Sequence, residues 1–217
     1  MLTPDDLPQT SRAYFTAGMA AAARSVFAYV LFATYVGIGA LGHDFGFSVS
    51  WIAASTILVW AGPAQVILIS TLGSGGTFVE TSIAVGLSGV RLLPMVASLL
   101  PMLKGPATRL RHLLLPAHFI AVSMWIESLR LVPSVPRERR VVFSNGLGCG
   151  LMTAAMAGTL LGFYLASALP PLLSAALLFL TPLSFLCSTI RNSRQLVDRL
   201  AFILGLAIWP ALAALGV

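Results

Sequence analysis

The stretch from Trp51 to Ser70 is a long apolar run with a break in its middle. It is about as long as a helix must be to cross the hydrocarbon core of a bilayer. Pro63 has no backbone N–H, so in a continuous helix the carbonyl of Val59 loses its partner. Gly62 beside it removes the side chain that would shield the backbone. Two residues later Gln65 places an uncharged amide in an oily segment. Freed carbonyls and amides are costly in lipid, so such breaks sit where protein or a watery cavity surrounds them. In membrane transporters they often mark the substrate site. Gly62, Pro63 and Gln65 are therefore the first candidate site residues.

A soluble surface cannot be built around this run. Only 9% of the residues are charged and 58% are hydrophobic, against about 25% charged in a soluble domain. The chain reads as an all-α polytopic membrane protein embedded in the lipid bilayer. It divides into a polar, partly amphipathic N-terminal lead (1–24) and a single transmembrane transporter domain (25–217). The lead carries Pro4, Asp5, Asp6 and Pro8 and lacks the apolar core of a signal peptide, so the first hydrophobic helix serves as its own insertion signal. The net charge of +6 comes from basic residues that flank apolar segments, which points to the positive-inside effect and not to nucleic acid. Cys149 and Cys187 have neither metal-ligand spacing nor a disulfide framework and read as packing residues.

About seven transmembrane helices are expected, some broken by Gly or Pro: 25–41, 49–72, 78–99, 113–131, 141–164, 172–188 and 200–215. The first and fifth carry runs of small residues, among them Gly37, Gly39, Gly146, Gly158 and Gly162, which predict close helix packing. In the third, Arg91 lies mid-segment with Pro94 just beyond it. A charge there costs at least about 2.5 kcal/mol on insertion scales, so it is a functional candidate by default. Glu80 lies roughly 16 Å away along the axis and cannot pair with it. In the fourth, His118 and Glu127 are expected to hold their polar tips in the headgroups.

Counting Lys and Arg across seven spans places Lys104, Arg109 and Arg111 on one side of the membrane. Arg12, Arg24, Arg130, Arg137, Arg139, Arg140, Arg191, Arg194 and Arg199 fall on the other. The second group marks the inside, with the N-terminus. Pro63 and Pro182 each interrupt an apolar segment 119 residues apart. They suggest a three-plus-one-plus-three internal repeat and make Pro182 a site candidate.

Ser55-Thr56, then Trp60-Ala61-Gly62-Pro63-Ala64-Gln65, a glycine loop, and Leu87-Ser88-Gly89-Val90-Arg91-Leu92-Leu93-Pro94-Met95 come in an order that resembles the AzlC family of branched-chain amino acid exporters. Trp60 and Pro63 depart from that family's helix-two pattern. Gly89 stands where asparagine is usual, and Ser123 lies near the place of a common aspartate. The resemblance implies a secondary transporter driven by ion gradients or antiport, without ATP or any cofactor. It implies a bacterial inner (cytoplasmic) membrane location and a small membrane subunit of the AzlD type as partner. The departures widen the expected substrate to related small apolar amino acids, and a homo-oligomer is a further expectation. Half-helix ends would hold a carboxylate and an ammonium group. Arg91 would pair the carboxylate bidentately, and Gln65 would donate or accept.

Two other classes fit parts of the pattern. Gly86-Leu87-Ser88-Gly89 matches an intramembrane serine protease motif, with His112 or His118 as the base that Ser88 would need. In the transporter reading Ser88 lines the substrate site instead. The chain also fits a non-transporting membrane subunit of a larger complex. Its loops are too short to dock an ATPase.

Overall fold

A computed structural model describes residues 10–105 and 108–168, with single positions at 200, 203, 204 and 208. These residues are helical throughout, in nine α-helices. They are α1 (Ser11–Arg24), α2 (Val26–Asp44), α3 (Val49–Leu58), α4 (Gly62–Gly73), α5 (Phe78–Val90), α6 (Leu93–Leu103), α7 (Leu114–His118), α8 (Val122–Leu131) and α9 (Arg140–Ala168).

Two of them, over Val26–Asp44 and Arg137–Ala166, are long and apolar enough to cross a membrane. A third span arises if α5 and α6, bent by 53°, act as one. The expected segments 172–188 and 200–215, with Pro182 and the internal repeat, lie outside the described residues. Of the five expected spans that fall within the described residues, two are helices long enough to cross, or three with the bent pair, so the seven-span count is not met there.

α9 is the axis of the fold. α1 and α2 lie along it one after the other, joined at Ser25, and both run parallel to it. Gly146 meets the Phe15 backbone and Gly150 meets Met19, while Gly158 meets Phe32 and Gly162 meets Val36. A Cβ at Gly39 would overlap the carbonyl oxygen of Thr159, and one at Gly162 that of Val36. The small residues thus bring α2 and α9 into backbone contact, as their pattern predicts. Ser11–Arg24, part of the expected polar lead, is a helix that buries Tyr14, Gly18 and Ala22.

The other segments are pieces. α3 has 10 residues and α4 has 12, about 15 Å and 18 Å of helix, so neither crosses a 30 Å core alone. The break falls at Val59–Ala61, just before the Gly62-Pro63 pair at which the sequence predicts it. Pro63 sits in the first turn of α4, where no N–H is needed. Pro94 does the same for α6. The continuous third helix expected over 78–99 is therefore two helices that meet at Arg91 and Leu92.

The fourth expected helix also departs from expectation. Residues 113–131 form the five-residue α7 and the ten-residue α8, separated at Phe119–Ala121. The Arg140 guanidinium donates to the carbonyl of Met102 at 2.9 Å, and Gly105 lies against the backbone of Arg137. The connectors at 104–105 and 137–140 thus share one end of the molecule, where the charge count had set them on opposite sides. The segment between them leaves that end and returns to it. Arg139 donates to Ser11 Oγ at 2.5 Å, so α1 begins at the same end.

Candidate functional site

The break between α3 and α4 leaves backbone groups open. In a helix each of the last carbonyls and first amides needs an outside partner. The amide of Ala61 takes the Val59 carbonyl at 2.7 Å, so the carbonyl expected to be freed by Pro63 is satisfied locally. The carbonyls of Thr56 and Leu58 and the amides of Gly62 and Ala64 find no hydrogen-bond partner among the described residues.

Gln65 lies across this break. It is fully buried, and its Nε2 donates to Ser55 Oγ at 2.8 Å and Thr56 Oγ1 at 2.9 Å. Both hydroxyls donate to the Ile52 carbonyl, at 2.8 and 3.0 Å. Each has one hydrogen to give, so their lone pairs face Gln65 and fix its amide with the nitrogen toward them. Gln65 Oε1 is then left without a partner. Thr56 Oγ1 is also 3.2 Å from Thr159 Oγ1, which ties the cluster to α9. A buried carbonyl-type oxygen with no donor is rare and costly. An N–H group placed beside it would satisfy it.

A second break faces the first. The buried Trp60 indole donates to the Phe119 carbonyl at 2.7 Å, and His118 Nε2 lies 2.8 Å from the Ile57 carbonyl. Each broken segment so satisfies a carbonyl of the other. The Trp60 ring stacks on Tyr35, centroids 6.2 Å apart, and meets the edge of Phe119. His118 is therefore engaged with α3, where the headgroup interface had been expected.

Of the predicted site residues, Gly62, Pro63 and Gln65 lie together at the start of α4. Ser88 is half-buried on α5, which packs against α4. Arg91 is exposed at the bend between α5 and α6. Neither Ser88 nor Arg91 makes a side-chain hydrogen bond or ion pair among the described residues. Pro182 lies outside them. His112 Nδ1 accepts from the Arg109 amide at 3.3 Å, so neither histidine considered for a protease is paired with Ser88.

Sequence reasoning passed over Ser55, Thr56 and Thr159 as site residues. The first two carried a signal: paired hydroxyls one helical stretch before a buried amide. Thr159, a further hundred residues on, carried none. Glu127, expected with its tip among the headgroups, is buried instead. It is 4% exposed, accepts from the Ser25 hydroxyl, and is held by Arg130 Nε at 2.9 Å and Nη2 at 2.6 Å.

The family model described as AzlC protein matches residues 26–169. The chain belongs to the AzlC family. The match begins where α2 begins and takes in both breaks and the Gln65 cluster. It leaves α1 outside. The AzlC family is associated with branched-chain amino acid transport and is not a family of enzymes. Its membership and the apolar helices together make this a membrane protein. No curated protein and no solved structure matches the chain.

Proposed function

We propose that the chain is a secondary transporter that exports branched-chain or related small apolar amino acids, held as zwitterions at the break between α3 and α4. The observation that carries this reading is Gln65 Oε1, a buried acceptor without a donor, set beside unpartnered backbone groups of both signs. The substrate ammonium fits Gln65 Oε1 and the carbonyls of Thr56 and Leu58, at the negative end of α3. The carboxylate fits the amides of Gly62 and Ala64, at the positive end of α4. Pro63 supports this by removing one amide and opening the turn. Tyr35 and Trp60 offer apolar surface for an aliphatic side chain.

Arg91, at the end of the neighbouring α5, closes on the carboxylate as a bidentate partner, with Ser88 one turn earlier and Pro182 at a second broken segment. A small AzlD-type subunit and self-association complete the assembly in a bacterial inner membrane. The N-terminus is inside: α1 starts among the basic connectors at one end of the fold, which is the arrangement the positive-inside effect favours.

Counterflow of labelled leucine, isoleucine, valine and methionine in proteoliposomes, with and without a co-purified small subunit, tests the reading. Exchange of at least one of them is expected. No exchange of any, with the partner present, overturns the substrate assignment. Arg91→Ala is expected to abolish export while the protein still inserts, and Arg91→Lys to restore it only in part, because an ammonium cannot reproduce the planar fork. A loss of membrane-inserted protein in Arg91→Ala would make Arg91 a structural residue instead.

A further inference from the structure

Among the described acidic residues, Asp44, Glu80 and Glu138 are exposed and Glu127 alone is buried. One of its oxygens accepts from the Ser25 hydroxyl, which also caps α2 by accepting from the Phe27 amide at 3.0 Å. The other is held by Arg130, whose side chain is 63% exposed against 5% for Glu127. The carboxylate is thus one side chain away from the surface, beside the α1–α2 joint. A neutral amide would hold Ser25 as well and avoid the cost of burying an ion, so the charge is weak evidence for a purely structural role. Buried ionisable residues in membrane proteins mark proton relays and ion paths.

Its place in the fold adds to this. Glu127 ties α8 to the α1–α2 joint. The other end of α8 is the break at Phe119–Ala121, and Phe119 is bonded to Trp60 at the α3–α4 break. One short helix therefore links the carboxylate to the substrate site.

Among the described residues, the charged and titratable groups on α8 and on the elements around it are few. Arg130 is its counter-ion on α8. The α1–α2 joint brings the exposed Arg24. From α6 comes Lys104, exposed at its end. From α9 come the half-buried Cys149 and Arg140, whose guanidinium is engaged with the carbonyls of Val135, Met102 and Pro133. From α7 comes His118, engaged with Ile57.

Resting on the transporter reading above, we propose that Glu127 is the proton-binding site through which export is coupled to the proton gradient. Protonation neutralises the carboxylate and releases Arg130, which weakens the hold of α8 on the α1–α2 joint. In the conformation seen here the proton leaves past the exposed Arg130 and the ion pair re-forms. One proton is bound and one released per cycle, and no other group changes.

Tryptophan fluorescence of the purified protein reads the proton site directly. Trp125 lies two residues before Glu127 and donates to Ser98 Oγ on α6 at 2.9 Å, so it reports on the seating of α8. The wild type is expected to show a pH transition that is absent in Glu127→Gln and shifted in Ser25→Ala. If Glu127→Gln does not fold, a shifted transition in both Glu127→Asp and Ser25→Ala serves in its place. A wild type with no transition, or variants that titrate like it, overturns the proposal. In proteoliposomes, an imposed inward proton gradient is expected to speed valine export at least about fivefold. Glu127→Gln should not respond to the gradient, whatever its absolute rate. Valine export that ignores the gradient sinks the coupling and leaves the transporter reading standing. A Glu127-dependent transition without transport of any branched-chain amino acid sinks that reading and keeps the proton site.

Discussion

The indole N–H of Trp60 donates to the carbonyl of Phe119 at 2.7 Å, which joins the breaks of two separate segments. Trp60→Phe keeps most of the ring and removes the donor, leaving a buried carbonyl unpaired at a cost of about 1–3 kcal/mol. Its thermal midpoint in detergent should fall clearly. His118→Ala breaks the tie to Ile57 at an exposed position and should cost less, about 0.5–1.5 kcal/mol. Equal midpoints for Trp60→Phe and the wild type would mean that the bond holds nothing together.

Gln65→Leu removes the orphaned acceptor and leaves the Ser55 and Thr56 hydroxyls bonded to Ile52. Folding should change little, because an unpaired buried oxygen has been replaced by apolar volume. Export of a branched-chain substrate should fall by more than about tenfold, the loss of roughly 1.4 kcal/mol of binding or more. Efflux measured beside thermal stability checks both halves of this statement. Undiminished efflux would place the substrate elsewhere.

Glycine substitutions should separate sharply by position. Gly162→Val drives a side chain into the Val36 backbone, and Gly39→Val does the same to Thr159. Backbone cannot yield as a side-chain tip can, so both should reduce folded protein in the membrane, at a cost of about 1–3 kcal/mol or more. At Gly86 an added Cβ meets nothing within 4 Å among the described residues. Gly86→Ala should be tolerated and should gain up to about 1 kcal/mol of helix propensity. Yields on size-exclusion chromatography compare the three.

Ser88 should not react as a nucleophile. It lacks a histidine partner, since His118 is engaged with Ile57 and His112 with the Arg109 amide. A fluorophosphonate probe should leave the purified protein unlabelled. Labelling that disappears in Ser88→Ala would restore the protease reading.

The first break was legible because Gly62 and Pro63 act within the chain's own backbone. The packing face of α9 was legible for a similar reason, since glycines at helical spacing need no knowledge of their neighbour. Pro94 has the same chemistry as Pro63 but stands in a segment without a neighbouring Gly-Pro pair, and there the apolar run reads as one continuous helix. Apolar length alone suggested that 113–131 crosses the membrane. Its division depends on contacts with distant residues: Phe119 with Trp60, 59 positions away, and Glu127 with Ser25, 102 positions away. The hydroxyl of Thr159 reaches Thr56 across 103 positions. Pairings of that range have no local signature, so the upper part of the polar cluster and the buried state of Glu127 could only emerge from the folded chain.

The seam between α2 and α9 sets where movement can occur. Where peptide lies directly on peptide there are no rotamers to reshuffle, so sliding one helix along the other means a collision at each turn. The pair behaves as a stiff mast, and whatever swings during a cycle must be the short spars rigged to it.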